Sequence, residues 1–291
     1  MLAHLRHFLY GIGMGVANVI PGVSGGTMAL IFGIYEEVVE AASSAVGAGL
    51  KLLRGDIQGF RTEVVALPWA FLLPLAVGIV ATPFLGAGLL SSLLETEPEL
   101  MRGLFFGLIV GSLPIPWLRI GRRDWSTLLL VLIAAAAAFW LSGLPVLTVT
   151  DPSAWMIFGA AALAICAMVL PGVSGAYLLL VFGMYQATLN ALEQLDLRFI
   201  LLFGAGAAVG LGAFSVLLNW LLKHRHDGTM AVLVGLMLGS LRALWPWITA
   251  NSGPRMPGEG EALGPVLLLG VLGLAVTGGL SWWELSRKDA S

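Results

Sequence analysis

Two segments of the chain carry nearly the same sequence. Residues 19–35 read VIPGVSGGTMALIFGIY, and residues 169–185 read VLPGVSGAYLLLVFGMY. Each copy contains Pro-Gly-Val-Ser-Gly, a helix breaker followed by a turn, inside a long stretch without charged residues. Matching interruptions of apolar segments in two halves of a chain are typical of the substrate sites of membrane transporters.

The composition indicates an integral membrane protein. Of its 291 residues, 58% are hydrophobic and 11% are charged, whereas soluble domains carry about 25% charged residues. The net charge of −2 gives no reason to expect a nucleic-acid partner, and the single Cys166 excludes an intrachain disulfide and reads as a small core residue. Arg6 and the apolar residues 8–20 resemble a signal peptide, but they lead directly into the repeated motif, so we expect them to be retained.

Stretches without acidic or basic residues mark the membrane segments. Six of them, one interrupted only by Arg242, are each interpreted as one spanning helix: 64–94, 103–118, 125–150, 199–222, 228–250 and 262–283. The run 152–192 would reach about 60 Å as one helix, twice the bilayer core. Its Pro-Gly break lies near the middle, which favours a hairpin that enters the membrane and returns. The run 7–35 could by length alone be one tilted span.

The distribution of positive charge favours re-entrant hairpins for both repeated segments, since basic residues favour cytoplasmic loops. If neither hairpin crosses and the N-terminus is inside, eleven basic residues fall inside: Arg6, Lys51, Arg54, Arg61, Arg119, Arg122, Arg123, Lys223, Arg225, Arg287 and Lys288. Three fall outside: Arg102, Arg198 and Arg255. If both segments span the membrane, the same loops split six to eight. The hairpin arrangement therefore predicts cytoplasmic N- and C-termini.

Three spans separate the two hairpins, so the hairpins enter from opposite faces. We therefore predict an all-α integral membrane protein of one domain, residues 1–291, built as an inverted repeat. Each half has one re-entrant helical hairpin plus three transmembrane helices: repeat 1 covers 8–150 with hairpin 8–35, and repeat 2 covers 152–285 with hairpin 152–192. Weaker echoes support the repeat: Gly107-x3-Gly111-Ser112-Leu113 recurs from Gly235 to Leu241, and Leu75–Gly78 recurs as 207–210.

The hairpin tips are the candidate anion site. Proline cannot continue the preceding helix and glycine permits the turn, so Ser24 and Ser174 stand where N-caps of new half-helices belong. Unpaired N–H groups at such a terminus favour phosphate or carboxylate. The predicted binding residues are Pro21, Gly22, Val23, Ser24, Gly25, Gly26 and Thr27 in the first tip, and Pro171, Gly172, Val173, Ser174, Gly175 and Ala176 in the second. A simpler alternative is that each motif is a kink that lets helices pack closely.

Arg242 is the only basic residue within a predicted span, and a charge there is a functional candidate by default. It could clamp a phosphate through two nitrogens, or it could extend to the headgroups beside Trp245 and Trp247. Glu36 and Glu37 could carry protons for coupling, although a solvated interfacial position is favoured. The four histidines lie in loops, so we expect no metal site, no cofactor and no catalytic residue.

Four segments resemble one known family closely: residues 17–27, 168–175, 235–242 and 245–247. They are similar to the bacterial polyprenyl-phosphate transporters, formerly a membrane domain of unknown function, from about residue 8 to 250. The resemblance implies translocation of undecaprenyl phosphate, the carrier lipid of cell-wall assembly, across the bacterial cytoplasmic (inner) membrane. It also implies that Arg242 belongs to the family pattern. The partners expected are this lipid and membrane lipids, while homo-oligomerisation is left open.

Three rival classes stay open at the sequence level. An intramembrane lipid pyrophosphate phosphatase resembles this pattern, but its tip has an arginine where this chain has Gly25 and Gly175. Without that arginine or an intramembrane carboxylate beside the tips, no group would stabilise a transferring phosphoryl group. A small-anion transporter or channel is the second rival. A purely structural membrane partner is the third, and it would have no use for two matched helix breaks.

Overall fold

The computed structural model describes residues 2–19, 24–85, 92–93, 96–249 and 253–288. Within these ranges the regular structure is helical, apart from one isolated antiparallel bridge between Ile248 and Pro254. The predicted all-α class is therefore confirmed for the part of the chain that the structure describes.

The helices of the first half begin with the arms of the first repeated segment. They are α1 Leu2–Val19, α2 Gly25–Ile31, α3 Tyr35–Leu53, α4 Ile57–Ala66, α5 Trp69–Leu85, α6 Pro98–Ser112, α7 Pro114–Leu118 and α8 Trp125–Leu141. Those of the second half are α9 Ala154–Val169, α10 Gly175–Val181, α11 Tyr185–Glu193, α12 Leu197–His224, α13 His226–Ser240 and α14 Leu263–Lys288. Each repeated segment thus gives a long helix, then a seven-residue helix and a turn at Gly33 or Gly183, both with positive φ. In the second copy the two helices are separated by a described break at Leu170–Ser174, whereas residues 20–23 of the first copy lie outside the described ranges.

The lengths of the helices are those of a membrane protein. Within the described ranges, Pro98–Leu118 and Leu197–His224 are long and apolar enough to cross a bilayer, and the number there rises to four if each of two bent pairs is one span. The pair α4 and α5 bends by 77°, because Leu67 before Pro68 takes an extended backbone (φ −60°, ψ 145°) and ends α4. The pair α10 and α11 bends by 105°.

Three predicted spans differ from the helices observed. The predicted span 64–94 is broken at Pro68, and its residues 86–91 and 94 lie outside the described ranges. The predicted span 125–150 ends as a helix at Leu141, since Gly143 and Pro145 follow it. The span 228–250 ends at Ser240, after which the chain turns towards Pro246 and the bridge at Ile248.

The helices pack in pairs that correspond between the two halves. α1 lies along α5, and α9 lies along α12. α6 lies along α14, while its counterpart α13 lies along α8. If α6 corresponds to α13 and α8 to α14, the last two pairs are equivalent, and each joins one half to the other.

Glycines at positions that recur in the two halves let these helix pairs pack closely. A Cβ at Gly107 would overlap the carbonyl oxygen of Gly270, and one at Gly235 would overlap that of Val131. Gly78 and Gly210 likewise lie against α1 and α9, where a Cβ would overlap the carbonyl oxygens of Phe8 and Ala162. Small residues at such positions let helix backbones approach each other in a membrane. The alanine run 134–138 takes part in one such contact, since Ala134 lies against Gly235 and Ala138 against Gly239.

A surface that we call the polar face joins the start of α3, the loop after α7 and the junction of α12 and α13. Its residues are Glu36, Glu40, Arg119, Lys223 and Asp227. Arg119 pairs with Glu36 at 3.3 Å, and Lys223 pairs with Glu40 at 2.6 Å. Asp227 accepts the N–H groups of Gly121 (3.0 Å) and Arg122 (2.9 Å), which hold its pKa below the usual value. These are loops that the charge pattern assigns to one side of the membrane.

Candidate functional site

The first tip is described from Ser24 onward, so Pro21, Gly22 and Val23 lie outside the described residues. Ser24 caps α2: its side-chain oxygen accepts the Thr27 N–H at 3.3 Å. The Gly25 N–H donates to the side chain of Asn18 on the arriving arm at 2.8 Å. Ser24 and Thr27 are 1% and 0% exposed.

The first tip is bonded directly to the second. The Ser24 hydroxyl donates to the Leu170 carbonyl at 2.8 Å, and the Gly172 N–H donates to the Thr27 hydroxyl at 3.1 Å. Gly26 completes the contact, because any Cβ there would overlap the Val169 carbonyl oxygen. The structure thus brings together motifs that are far apart in the sequence.

The second tip is complete in the structure. α9 ends as Leu170 becomes extended before Pro171 (ψ 128°), and Gly172 takes a φ of +80° that L-residues rarely adopt. Ser174 then caps α10 by accepting the Tyr177 N–H at 3.3 Å. Gly175 lies against the Ala164 carbonyl, so both glycines are required by close backbone contact. Ala176, which follows Gly175 in α10, is half-buried.

A small cavity of about 20 Å³ lies beside the second tip. Gly172, Val173, Ser174 and Tyr177 form its wall on the tip side. The facing wall comes from the carboxyl ends of α8 and α13 and the residues that follow them: Ala138, Leu141, Ser142, Ser240 and Ala243. The volume is about that of one water-sized probe.

The sequence interpretation placed hydroxyls of both tips around one cavity. In this conformation the described wall includes Ser174 but neither Ser24 nor Thr27, because those two hydroxyls bond to the backbone of the second tip. Tyr177, which the sequence analysis did not select, lines the cavity and donates to the Leu144 carbonyl at 3.0 Å. The sequence feature that could have indicated Tyr177 is that it stands in the second copy where the first copy has Thr27.

Arg242 lies beside the cavity wall, since it stands in sequence between Ser240 and Ala243, which both line the cavity. Its guanidinium donates to the Phe139 carbonyl at 3.1 Å and lies 4.6 Å from the centre of the Phe139 ring. The guanidinium also packs against Gly143, where a Cβ would overlap its carbon and two of its nitrogens. The Arg242 side chain is therefore held at the carboxyl end of α8, where the helix dipole favours a cation.

The Arg242 guanidinium keeps unused binding capacity. Its Nε is buried and has no hydrogen-bond partner among the described residues. Arginine presents five N–H donors in a planar fork that matches the oxygens of a phosphate. Ala243, the next residue in sequence, lines the cavity of the second tip, as does Ser142 beside Gly143, so Arg242 lies at one wall of that cavity.

Glu36 and Glu37 lie apart from the tips. Both side chains are exposed, and Glu36 pairs on the polar face with Arg119 at 3.3 Å and with His226 at 3.7 Å. The interfacial position favoured from the sequence stays a prediction.

Comparison with known proteins identifies the family. A family profile described as undecaprenyl phosphate translocase-like matches residues 14–258. A polyprenyl-phosphate transporter of Vibrio cholerae is 38% identical over 244 residues, which cover 84% of this chain and 78% of that protein. A polyprenyl-phosphate transporter of Staphylococcus aureus is 28% identical over 268 residues, 84% of this chain and 87% of that protein.

No solved structure is significantly similar to the chain. The profile match nevertheless includes both repeated motifs and Arg242. The chain therefore belongs to the undecaprenyl phosphate translocase-like family.

Proposed function

We propose that this protein translocates a polyprenyl phosphate of the undecaprenyl phosphate class across the bacterial inner membrane. The observation that carries the proposal is the cavity of the second tip, which Ser142, Ser174 and Ser240 line and at whose wall Arg242 is bonded to the Phe139 carbonyl. The names of the Vibrio and Staphylococcus relatives support the same substrate.

The phosphate head binds where this cavity opens towards Arg242. A phosphate monoester carries at least one negative charge, so it needs a cation and several donors once it leaves water. Arg242 supplies the charge and N–H donors, and the Ser174 hydroxyl supplies a further donor. Binding requires the cavity to enlarge, because its present volume of about 20 Å³ holds only one water-sized probe.

The head passes between the two tips by alternating access. In this conformation the Ser24–Leu170 and Thr27–Gly172 hydrogen bonds hold the first tip closed against the second. When the site opens to the other side of the membrane, these bonds break and the Ser24 and Thr27 hydroxyls become free to bind the phosphate. Both tips therefore contribute to binding, each in one state.

The two halves form an inverted repeat with the hairpins 8–35 and 152–192 entering from opposite faces. The corresponding helix pairs α6–α14 and α13–α8 support this arrangement. The grouping of predicted cytoplasmic loops on the polar face supports cytoplasmic termini. Cysteines introduced near Tyr35 and near Gln194 should react with impermeant reagents from opposite sides, and reaction from one side would contradict the repeat.

The activity is transport without chemistry on the lipid. Gly25 lies against Asn18 and Gly175 against the Ala164 carbonyl, so neither position presents a charged side chain to a phosphate. The test uses vesicles containing the purified protein. Ser174→Leu should abolish movement of the phosphate lipid, because the side chain fills the cavity.

The matched control for this test is Ser153→Leu. Ser153 also caps a helix, accepting the Met156 N–H at 3.4 Å, but it does not line the cavity. It should retain transport while losing a comparable cap. Equal transport by wild type and Ser174→Leu would contradict a head site at the second tip.

A further inference from the structure

Two apolar grooves follow one another along the α6–α7 segment, Pro98–Leu118. The first, which we call the Trp245 groove, has a volume of about 230 Å³ and lies between α6 and α14 beside Trp245 and Pro246. The second, the Trp117 groove, has a volume of about 450 Å³ and lies between α6–α7, α8 and α13 beside Trp117 and Leu118. Their described walls are almost wholly apolar.

The internal repeat relates the two grooves. Aligning Gly107 with Gly235 pairs Trp117 with Trp245 and Leu118 with Pro246. These four residues line the two grooves at matching places.

The opposite walls match as well. The Val131 carbonyl meets Gly235, and the Gly270 carbonyl meets Gly107, so Val131 corresponds to Gly270. Three residues earlier on each helix, Leu128 lines the Trp117 groove and Leu267 lines the Trp245 groove. A match on both of these walls indicates one kind of site that the chain forms twice.

The grooves meet close to the end of α6, near the middle of the α6–α7 segment Pro98–Leu118. Val110 lines both of them, and it lies between the parts of this segment that contribute to each groove. Because Pro98–Leu118 is long enough to cross a membrane, the two grooves face opposite halves of a bilayer. An apolar chain can pass from one groove to the other at Val110 without entering water.

The Trp245 groove also adjoins the head site. Ala243 lines the cavity of the second tip, and Trp245, two residues later, lines the groove. The Trp245 ring is fixed by its N–H bond to the Arg255 carbonyl at 2.7 Å and by an edge contact with Phe106 at 5.7 Å. A ligand with its anionic head at Arg242 would therefore have its apolar chain directed into this groove.

We infer that the two grooves hold the isoprenoid tail of the transported lipid, one in each half of the membrane. This inference rests on the proposed function. The tail lies in the Trp245 groove when the head faces one side and moves past Val110 into the Trp117 groove as the head crosses. A phospholipid of the bilayer is the alternative occupant, and competition by each lipid for the grooves distinguishes the two.

The experiment uses polyprenyl phosphate with a photoreactive diazirine on its tail, bound to the full-length protein in nanodiscs. Val271→Trp fills the Trp245 groove, and Leu128→Trp fills the Trp117 groove. The adjacent exposed residues give matched controls, Leu272→Trp and Leu129→Trp, because neither lines a groove. All four sites are exposed apolar positions, so melting temperatures should stay close to that of the wild type.

In the wild type, labelling should concentrate in α6, α8 and α14. In each groove variant, labelling of the filled groove should fall about tenfold, as expected for a loss of about 1.4 kcal/mol in binding free energy, while the controls stay at the wild-type level. Unlabelled polyprenyl phosphate should compete, and phosphatidic acid should not. Equal labelling of groove variants and controls, or equal competition by phosphatidic acid, would overturn the inference.

Failure of the proposed function gives a different result. Tail labelling in the grooves without any lipid movement in vesicles would reject transport and keep the tail site. Lipid movement with labelling outside the grooves would reject the tail site and keep transport.

Discussion

The backbone N–H of Gly172 donates a hydrogen bond to the Thr27 hydroxyl at 3.1 Å, joining the two copies of the repeated motif. The second copy has Tyr177 at the position of this threonine, and its hydroxyl donates to the Leu144 carbonyl at 3.0 Å. The unequal tips thus have different tasks: Thr27 holds the tips together, and Tyr177 forms part of the cavity wall.

Replacing Thr27 with valine should destabilise the contact between the tips. Valine keeps the shape of the side chain but leaves the buried Gly172 N–H without an acceptor, which costs about 1–3 kcal/mol. The free energy of unfolding in a mild detergent, measured by denaturant titration, should fall by that amount. Thr27→Ser keeps the hydroxyl and should recover most of the loss. Equal stability of Thr27→Val and wild type would show that the bond contributes nothing.

Replacing Gly172 with alanine should be more damaging. The φ of +80° disfavours any side chain by about 1–2 kcal/mol, and the added Cβ would lie 2.7 Å from the Met237 Cα and 2.8 Å from its backbone nitrogen. We expect a lower melting temperature and reduced transport.

The matched control for Gly172→Ala is Gly159→Ala in α9. A Cβ at Gly159 meets nothing within 4 Å, so alanine should be tolerated or should stabilise the helix by up to about 1 kcal/mol. If both variants behave alike, the turn at Gly172 is not constrained as the structure indicates.

Replacing Arg242 with lysine should reduce transport even though the positive charge is kept. Lysine lacks the planar fork that can bond a phosphate while still donating to the Phe139 carbonyl. Loss of one charge-assisted bond of about 1.5–3 kcal/mol predicts a decrease of roughly tenfold or more in the initial rate. The exposed Arg198 gives the control Arg198→Lys, which should leave the rate unchanged. An undiminished rate for Arg242→Lys would indicate that only charge is required.

The cap of α8 predicts a dependence of stability on pH. Hydrogen bonds from the Ser126 hydroxyl and then the Thr127 N–H lower the pKa of Asp124 to about 2. A carboxyl whose pKa is lowered by folding stabilises the protein above its unfolded pKa, about 3.9, and this contribution is lost as the pH falls towards 2.

The variant Asp124→Ala should therefore melt below the wild type at neutral pH, and the difference should shrink between about pH 4 and pH 2. Asp151→Ala, at an exposed carboxylate that caps no helix, serves as the control. A constant difference across this pH range would mean that the charge of Asp124 does not contribute.

The sequence predicts the features that depend on local chemistry. The caps at Ser24 and Ser174 and the turn at Gly172 follow from residue types alone. The glycine echoes at Gly107 and Gly235 indicate close helix contacts, and both are observed. The bend at Pro68 was predictable from the restriction that proline imposes on Leu67, but the long apolar run concealed it.

The remaining features depend on contacts between distant segments. The position of Arg242 is set by Phe139 and Gly143, which belong to the other half of the chain. The polar groups of the tips bond to each other rather than facing a shared cavity, because the Leu170 carbonyl and the Gly172 N–H need partners in a buried place. No local pattern encodes these pairings.

The most direct test compares two lipids in vesicles that contain the purified wild-type protein. Undecaprenyl phosphate should move between the leaflets at a rate that increases with the amount of protein. Undecaprenyl pyrophosphate in the same vesicles should release no inorganic phosphate. Protein-dependent phosphate release, or movement of the phosphate lipid no faster than in empty vesicles, would contradict translocation by a phosphate-binding tip.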